Sequence, residues 1–159
     1  VTAPATGLHF SRELMKRMEI NGINKAFITL HCGLGNFHEI EVEDLTKHKM
    51  DSEQMIIDKE CCDLVNATKN NGHHVCAIGT SVIKATETAV GTDGMLIFPP
   101  YDFRLADSMV ANFYHPESTL MMSTAAFGGY DMVYECYKKA VKNGYMFGCF
   151  GDSLLILND

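Results

Sequence analysis

Two histidines in this chain stand beside glycines, each at a place where an element starts or stops. His9 lies in Gly7-Leu8-His9-Phe10, just ahead of a helical pattern, and His31 lies in Thr29-Leu30-His31-Cys32-Gly33-Leu34-Gly35-Asn36-Phe37, where an apolar run ends. A neutral imidazole can accept or donate a proton near neutral pH. Gly33 and Gly35 allow positive φ and let the backbone come close to a ligand. The plain alternative at His31 is a tight turn around a hydrogen-bonded histidine, and His9 reads equally as a boundary histidine with its polar atoms satisfied.

Three further groups could do chemistry. Gly79-Thr80-Ser81 joins a strand to a helix and makes a helix N-terminus suited to anions. Lys84 and Glu87, three apart on that helix, share one face, which allows either a cation–carboxylate pair at a site or a surface salt bridge. Asn112-Phe113-Tyr114-His115-Pro116-Glu117-Ser118-Thr119 gathers an amide, a phenol, an imidazole and two hydroxyls at a helix start. It can bind a carboxylate, a phosphate or a ribose, or serve as an elaborate cap. Asp152, just before the last strand, is either a turn former or a carboxylate of the site.

Familiar alternatives fail on spacing. His31-Cys32-Gly33-Leu34-Gly35 lacks the third glycine of a dinucleotide fingerprint, there is no phosphate-binding loop ending in Gly-Lys-Ser/Thr, and His73-His74 has no nearby third ligand for a metal. The expectation from spacing is therefore no metal.

Elements must hold these residues in place. Ser11 caps a helix made amphipathic by Leu14, Met15 and Met18, which Asn21-Gly22 stops. Lys25–Leu30 follows as a buried strand of a parallel sheet, which would put His31 in the crevice beyond its carboxyl end. Glu39–Val42 and Ser52–Ile57 read as short strands, and Asp58 caps a helix to about Asn70, closed by Asn71-Gly72. His73–Gly79 is a second buried strand, Val82–Ala89 a helix, and Met95–Phe98 a third strand ended by Pro99-Pro100. Pro116 falls one turn into a helix to Phe127, Asp131 caps a last helix ending at Asn143-Gly144, and Ser153–Leu157 is a fourth strand. The alternation predicts a three-layer α/β/α domain with a mostly parallel sheet, over residues 1–159 as one unit.

Composition narrows the class. The chain has 159 residues, 47% of them hydrophobic, and a mean hydropathy of −0.02. That size allows a sizeable core, and no apolar run approaches the roughly 20 residues of a membrane span. No basic-then-apolar leader opens the chain, and the start at Val1 is what a fragment would show. Six cysteines without framework spacing read as reduced thiols of a cytoplasmic protein. Twenty acidic residues against thirteen basic ones give −7, which argues against nonspecific nucleic-acid binding by this chain alone.

Read together, the segments resemble the S-adenosylmethionine:tRNA ribosyltransferase-isomerases of queuosine biosynthesis. The motifs, in order, are Pro4-Ala5-Thr6-Gly7-Leu8-His9-Phe10, Thr29 to Phe37, His48-Lys49-Met50-Asp51-Ser52-Glu53, and Ile78-Gly79-Thr80-Ser81-Val82-Ile83-Lys84-Ala85-Thr86-Glu87. Asn112 to Leu120, Ala126-Phe127-Gly128-Gly129 and Phe150-Gly151-Asp152-Ser153-Leu154 complete them. Family members are about twice this length, so the resemblance implies the carboxyl-terminal α/β portion, without the inserted β-barrel domain.

The resemblance implies transfer of the ribosyl part of S-adenosylmethionine to the 7-aminomethyl-7-deazaguanine of tRNA, with isomerisation to epoxyqueuosine. S-adenosylmethionine is then a co-substrate with no prosthetic group required, tRNA the partner, and the missing amino-terminal portion a part of tRNA binding. His9, His31 and Glu87 become the candidate catalytic groups. Gly33, Gly35, Thr80, Ser81, Lys84, Asn112, Tyr114, Ser118, Thr119 and Asp152 become the candidate substrate-binding groups. The chain departs from the family pattern where Lys84 replaces an arginine, Asp51 a histidine, and Tyr114-His115 a histidine-leucine pair, and where a tryptophan-containing connection before Met95–Phe98 is either shorter or has residues missing between Gly94 and Phe98. These departures sustain a second expectation, a non-catalytic small-molecule or RNA-binding module on the same scaffold.

Overall fold

The computed structural model describes residues 3–33, 53–90, 97, 100–116 and 118–158. The expected strands Glu39–Val42 and, but for Ile97, Met95–Phe98 lie outside them, as do Gly35 and Asp51.

Local signals set most helix ends. A 3-10 turn, Thr6–His9, leads to α1 (Arg12–Ile20), whose Ser11 cap accepts the Leu14 N–H at 3.2 Å. Helix α2 (Lys59–Asn70) ends at Asn71 with Gly72 at φ 72°, and α5 (Tyr130–Lys142) ends at Asn143 with Gly144 at φ 74°. In each case the glycine takes the left-handed conformation that a Cβ disfavours. Helix α3 (Thr80–Ala89) starts directly after Gly79, at φ 102°. Helix α4 (Thr119–Gly128) starts later than expected: the cap is Ser118, whose hydroxyl accepts from Met121 N–H and donates to the His115 carbonyl, so Pro116 stands outside the helix.

The α/β class holds, and pairing among the described strands is mixed. Strands β1 (Ile28–His31) and β2 (Gln54–Ile57) form an antiparallel pair, with Ile28 opposite Ile57 and His31 opposite Gln54. The other sheet has the order β3 (Cys76–Ile78), β4 (Ser108–Asn112), β5 (Ser153–Leu157), with β3 parallel and β5 antiparallel to β4. Two expectations change. Strand β1 holds His31 as its last residue instead of placing it beyond the strand end, its described pairing is antiparallel, and its residues alternate between partly buried and exposed instead of being buried throughout. The central strand β4 was not anticipated, because Ser-Met-Val-Ala-Asn carries little β-propensity and its burial comes from neighbours on both sides.

The core lies between this sheet and its helices. Ala77, Met109 and Ile156 form one buried row across β3, β4 and β5, joined by Ile83 of α3, Ala125 and Phe127 of α4, and Val133, Tyr137 and Ala140 of α5. Phe113, Tyr137 and Phe147 pack ring on ring at 5.1 to 5.6 Å. Asp107 ties three segments before β4: it accepts Lys69 Nζ at 2.7 Å and Val75 N–H at 2.8 Å. Partial burial alone would push its carboxyl up, yet the bonds from Lys69 and Val75 outweigh burial and hold it below its usual value.

Candidate functional site

Parallel strands share a carboxyl edge, and the crevice beyond such an edge is where open α/β sheets bind ligands. Here β3 ends at Ile78 and β4 at Asn112, so Gly79-Thr80 and Asn112-Phe113-Tyr114 emerge side by side. The turn carrying His9 lies over the same edge. Thr6 Oγ1 is 3.4 Å from Tyr114 Oη, and a Cβ on Gly79 would meet Thr6 in ordinary contact. His9 Nε2 lies 3.2 Å from Asn112 Oδ1.

Asn112 is fully buried, and its Nδ2 donates to the carbonyls of Gly148 at 3.0 Å and Cys149 at 3.4 Å. The loop supplying those carbonyls is closed by Asp152, whose Oδ2 accepts Met146 N–H at 2.8 Å and whose backbone carbonyl accepts Phe113 N–H. Asp152 therefore shapes the loop behind Asn112. Tyr114 is held from the other side, its N–H donating to Tyr137 Oη at 3.1 Å. Burial pushes the Tyr137 phenol up to about 12, so it stays neutral and available as an acceptor over the ordinary pH range.

The second group surrounds His31. His31 and Gly33 are exposed, and Gly33 N–H donates to Glu53 Oε1 at 3.2 Å. The other oxygen of Glu53 accepts Lys84 Nζ at 2.6 Å, with side-chain exposures of 5% and 18%. Glu53 thus ties Gly33 to α3, a role that sequence reasoning missed although the residue closes the His48–Glu53 motif. Thr80 and Lys84, four apart on α3, link the two groups, since residues at that spacing share a helix face. No described contact joins His9 to His31.

Lys84 and Glu87 part company. Glu87 is fully buried and accepts Arg104 N–H on both oxygens at 3.2 Å, Leu105 N–H at 3.1 Å and the Tyr101 hydroxyl at 3.4 Å. Two successive backbone N–H groups converging on one carboxylate make an anion-binding nest filled from within the protein. At the start of α4, Ser118 is consumed by capping, while Thr119 Oγ1 is buried without a hydrogen-bond partner among the described residues. Ser81 is partly buried beside Thr80 at the start of α3, whose Gly79 cap position contributes no side chain. Among the described residues no three His, Cys, Asp or Glu side chains are grouped to hold a metal, and no helix is long and apolar enough to cross a membrane.

A family model described as "Queuosine biosynthesis protein" matches residues 1–156. The chain belongs to that family. It is 60% identical over 168 residues to the S-adenosylmethionine:tRNA ribosyltransferase-isomerase of Phocaeicola vulgatus, a match taking in 99% of this chain and 48% of that protein. The relative of the same name from Flavobacterium psychrophilum is 50% identical over 167 residues, again at 99% and 48%. The crystal structure of S-adenosylmethionine tRNA ribosyltransferase from Thermotoga maritima matches with a TM-score of 0.80 and 34% identity, covering 96% of this chain and 51% of that one. The chain thus spans about half the length of the relatives it matches. A 168-residue match to a chain of 159 also means that the Phocaeicola protein has residues within the matched span that this chain lacks.

Proposed function

We propose that the protein carrying this chain transfers and isomerises the ribosyl moiety of S-adenosylmethionine onto the 7-aminomethyl-7-deazaguanine of tRNA, giving epoxyqueuosine-tRNA. The observation that carries the reading is the 60% identity along 99% of the chain to a relative named for that activity. The convergence of the His9 turn, the start of α3 and the Asn112–Tyr114 segment on one sheet edge supports it.

The reaction needs a base for the acidic C–H beside the sulfonium, an acid for the departing adenine, and contacts that fix the sugar and the methionine end. His9 and His31 are the two groups that exchange protons. Thr80, Ser81 and Tyr114 bind the sugar and its neighbours, Thr119 offers its unpartnered hydroxyl to a polar substrate group, and Gly33 with Gly35 admits the substrate closely. Lys84 acts through Glu53 in holding the Gly33 loop, and Glu87 supports the 101–105 segment from within. Adenine and methionine leave as the ribosyl group is attached to the aminomethyl nitrogen and rearranged. S-adenosylmethionine is consumed as a substrate, and the portion of the relatives outside this chain contributes to tRNA binding.

The test is release of adenine from S-adenosylmethionine by the full-length protein, followed in the presence and absence of tRNA bearing the aminomethyl precursor base. Release that depends on that tRNA is the expected result. Binding of S-adenosylmethionine with no release under either condition would overturn the reading in favour of a binding module.

A further inference from the structure

We propose that Asn112 fixes the tautomer of His9, so that every proton His9 gains or loses passes through Nδ1. The far side of the amide sets its orientation. Carbonyl oxygens only accept, and the Asn112 atom facing them lies 3.0 Å from Gly148 O and 3.4 Å from Cys149 O. That atom must be the amide nitrogen, with a hydrogen for each carbonyl. The remaining amide atom is Oδ1, which also only accepts, and it lies 3.2 Å from His9 Nε2.

A hydrogen must therefore sit on Nε2. It is present in the neutral ring and in the imidazolium alike, and its loss would set two acceptors against each other around a fully buried amide. The ring itself is exposed, and Nδ1 has no partner among the described residues. One hydrogen bond at a buried partner is enough to bias the two tautomers on the order of tenfold.

Asn112 changes role accordingly. With its side chain fully buried and both amide hydrogens committed, it is a positioning residue that acts through His9, and the expectation that it holds substrate directly is replaced. The significance for catalysis rests on the proposed ribosyl transfer; the tautomer does not.

Nuclear magnetic resonance of the protein labelled with ¹⁵N in its histidines decides the matter, read above the pH at which the rings titrate. His9 is assigned by its disappearance in His9→Gln, and the exposed His73 and His74 serve as internal references. The expected His9 pattern is a single neutral form with Nε2 protonated and Nδ1 bare, the other form at a tenth or less. Asn112→Ser, where it folds, shifts His9 toward the pattern of His73. An averaged pattern in the unmodified protein, or a hydrogen on Nδ1, overturns the assignment whether or not any variant folds.

Turnover gives a second readout. His9→Gln keeps a donor toward Asn112 but has no exchangeable base, so kcat falls at least a hundredfold while KM for S-adenosylmethionine stays within about threefold. A protein that shows the single tautomer yet releases no adenine refutes the ribosyl-transfer reading alone; an averaged tautomer in an active protein refutes the proposal alone.

Discussion

Replacing Glu87 by glutamine separates support of the fold from chemistry at the reacting atoms. In the structure the Glu87 carboxylate accepts two backbone N–H groups and a phenol, all donors, from a position with no solvent exposure. A glutamine keeps one oxygen and turns the other acceptor into a donor. One bond to Arg104 or Leu105 is retained, at least one charge-assisted bond is lost, and an NH2 is set against an N–H. Bonds to a charged group contribute about 1.5–3 kcal/mol each, and a stranded buried donor costs about 1–3 kcal/mol. Removing a buried charge returns part of its desolvation cost. The net expectation is a loss of about 2–3 kcal/mol. With a urea dependence of about 2 kcal/mol/M, the midpoint of unfolding moves down by about 1 M. Equilibrium urea unfolding followed by circular dichroism measures it. Glu87→Asp, too short to reach both N–H groups, should lose as much. An unchanged midpoint in Glu87→Gln with adenine release abolished would refute this reasoning and return Glu87 to the catalytic groups.

Other substitutions probe neighbouring supports. Tyr137→Phe removes the acceptor of the buried Tyr114 N–H and is expected to cost about 1–3 kcal/mol in chemical denaturation. The same phenol, raised to about 12 by burial, makes the folded state hold its proton longer than the unfolded chain, so stability declines as pH rises above about 10, and Tyr137→Phe flattens that decline in a pH series of melts. Asp107, held below its usual value, adds stability that is present above the unfolded carboxyl's pKa and lost as pH falls through the folded one. Asp107→Asn is expected to cost about 1 kcal/mol at neutral pH and to reduce the acid-side slope. Gly151→Ala forces a Cβ into the Met146 carbonyl and is expected to cost about 3 kcal/mol, while loosening the carbonyls that hold Asn112, which histidine spectra would register at His9. Glu53→Gln weakens the tie between Gly33 and Lys84, and the expected result is a rise in KM larger than the fall in kcat, since the loop is positioned less well while the proton-exchanging groups remain.

What could be read from the sequence followed the range of the interactions involved. Ser11 at the start of α1 and the Asn-Gly pairs after α1, α2 and α5 act within a few residues, and each stands where the pattern placed it. Gly79 opening α3 was legible for the same reason. Strand β4 was not, because Ser108–Asn112 is a strand by virtue of partners some 30 residues earlier and 45 later, and nothing in its own composition announces that. The start of α4 slipped for a related cause: proline suits a first helical turn, but Ser118 caps by bonding back to His115 and so excludes Pro116 from the helix.

The candidate site divides along the same line. Residue type alone marked His9, His31, Lys84, Glu87, Asn112 and Tyr114 as noteworthy, yet type does not say which polar atoms are already spoken for. Glu87 and Lys84 share a helix face, so spacing suggested a pair; in the fold, Glu87 serves two N–H groups of the 104–105 turn and Lys84 serves Glu53. Asn112 and His9 are 103 residues apart, and only the parallel register of β3 and β4, with the Thr6–His9 turn laid over their ends, brings them within 3.2 Å. Once they meet, the chemistry of each is constrained by the other: two carbonyls decide which way the amide points, and the amide decides which imidazole nitrogen is left to exchange a proton. Lys84 fits the same logic. A single ammonium at 2.6 Å from one oxygen of Glu53 leaves the other oxygen for Gly33 N–H, whereas a guanidinium favours taking both. Lys84→Arg is therefore expected to draw Glu53 away from Gly33, two residues past His31, and hydrogen exchange at the Gly33 amide would report it as faster exchange than in the unmodified protein.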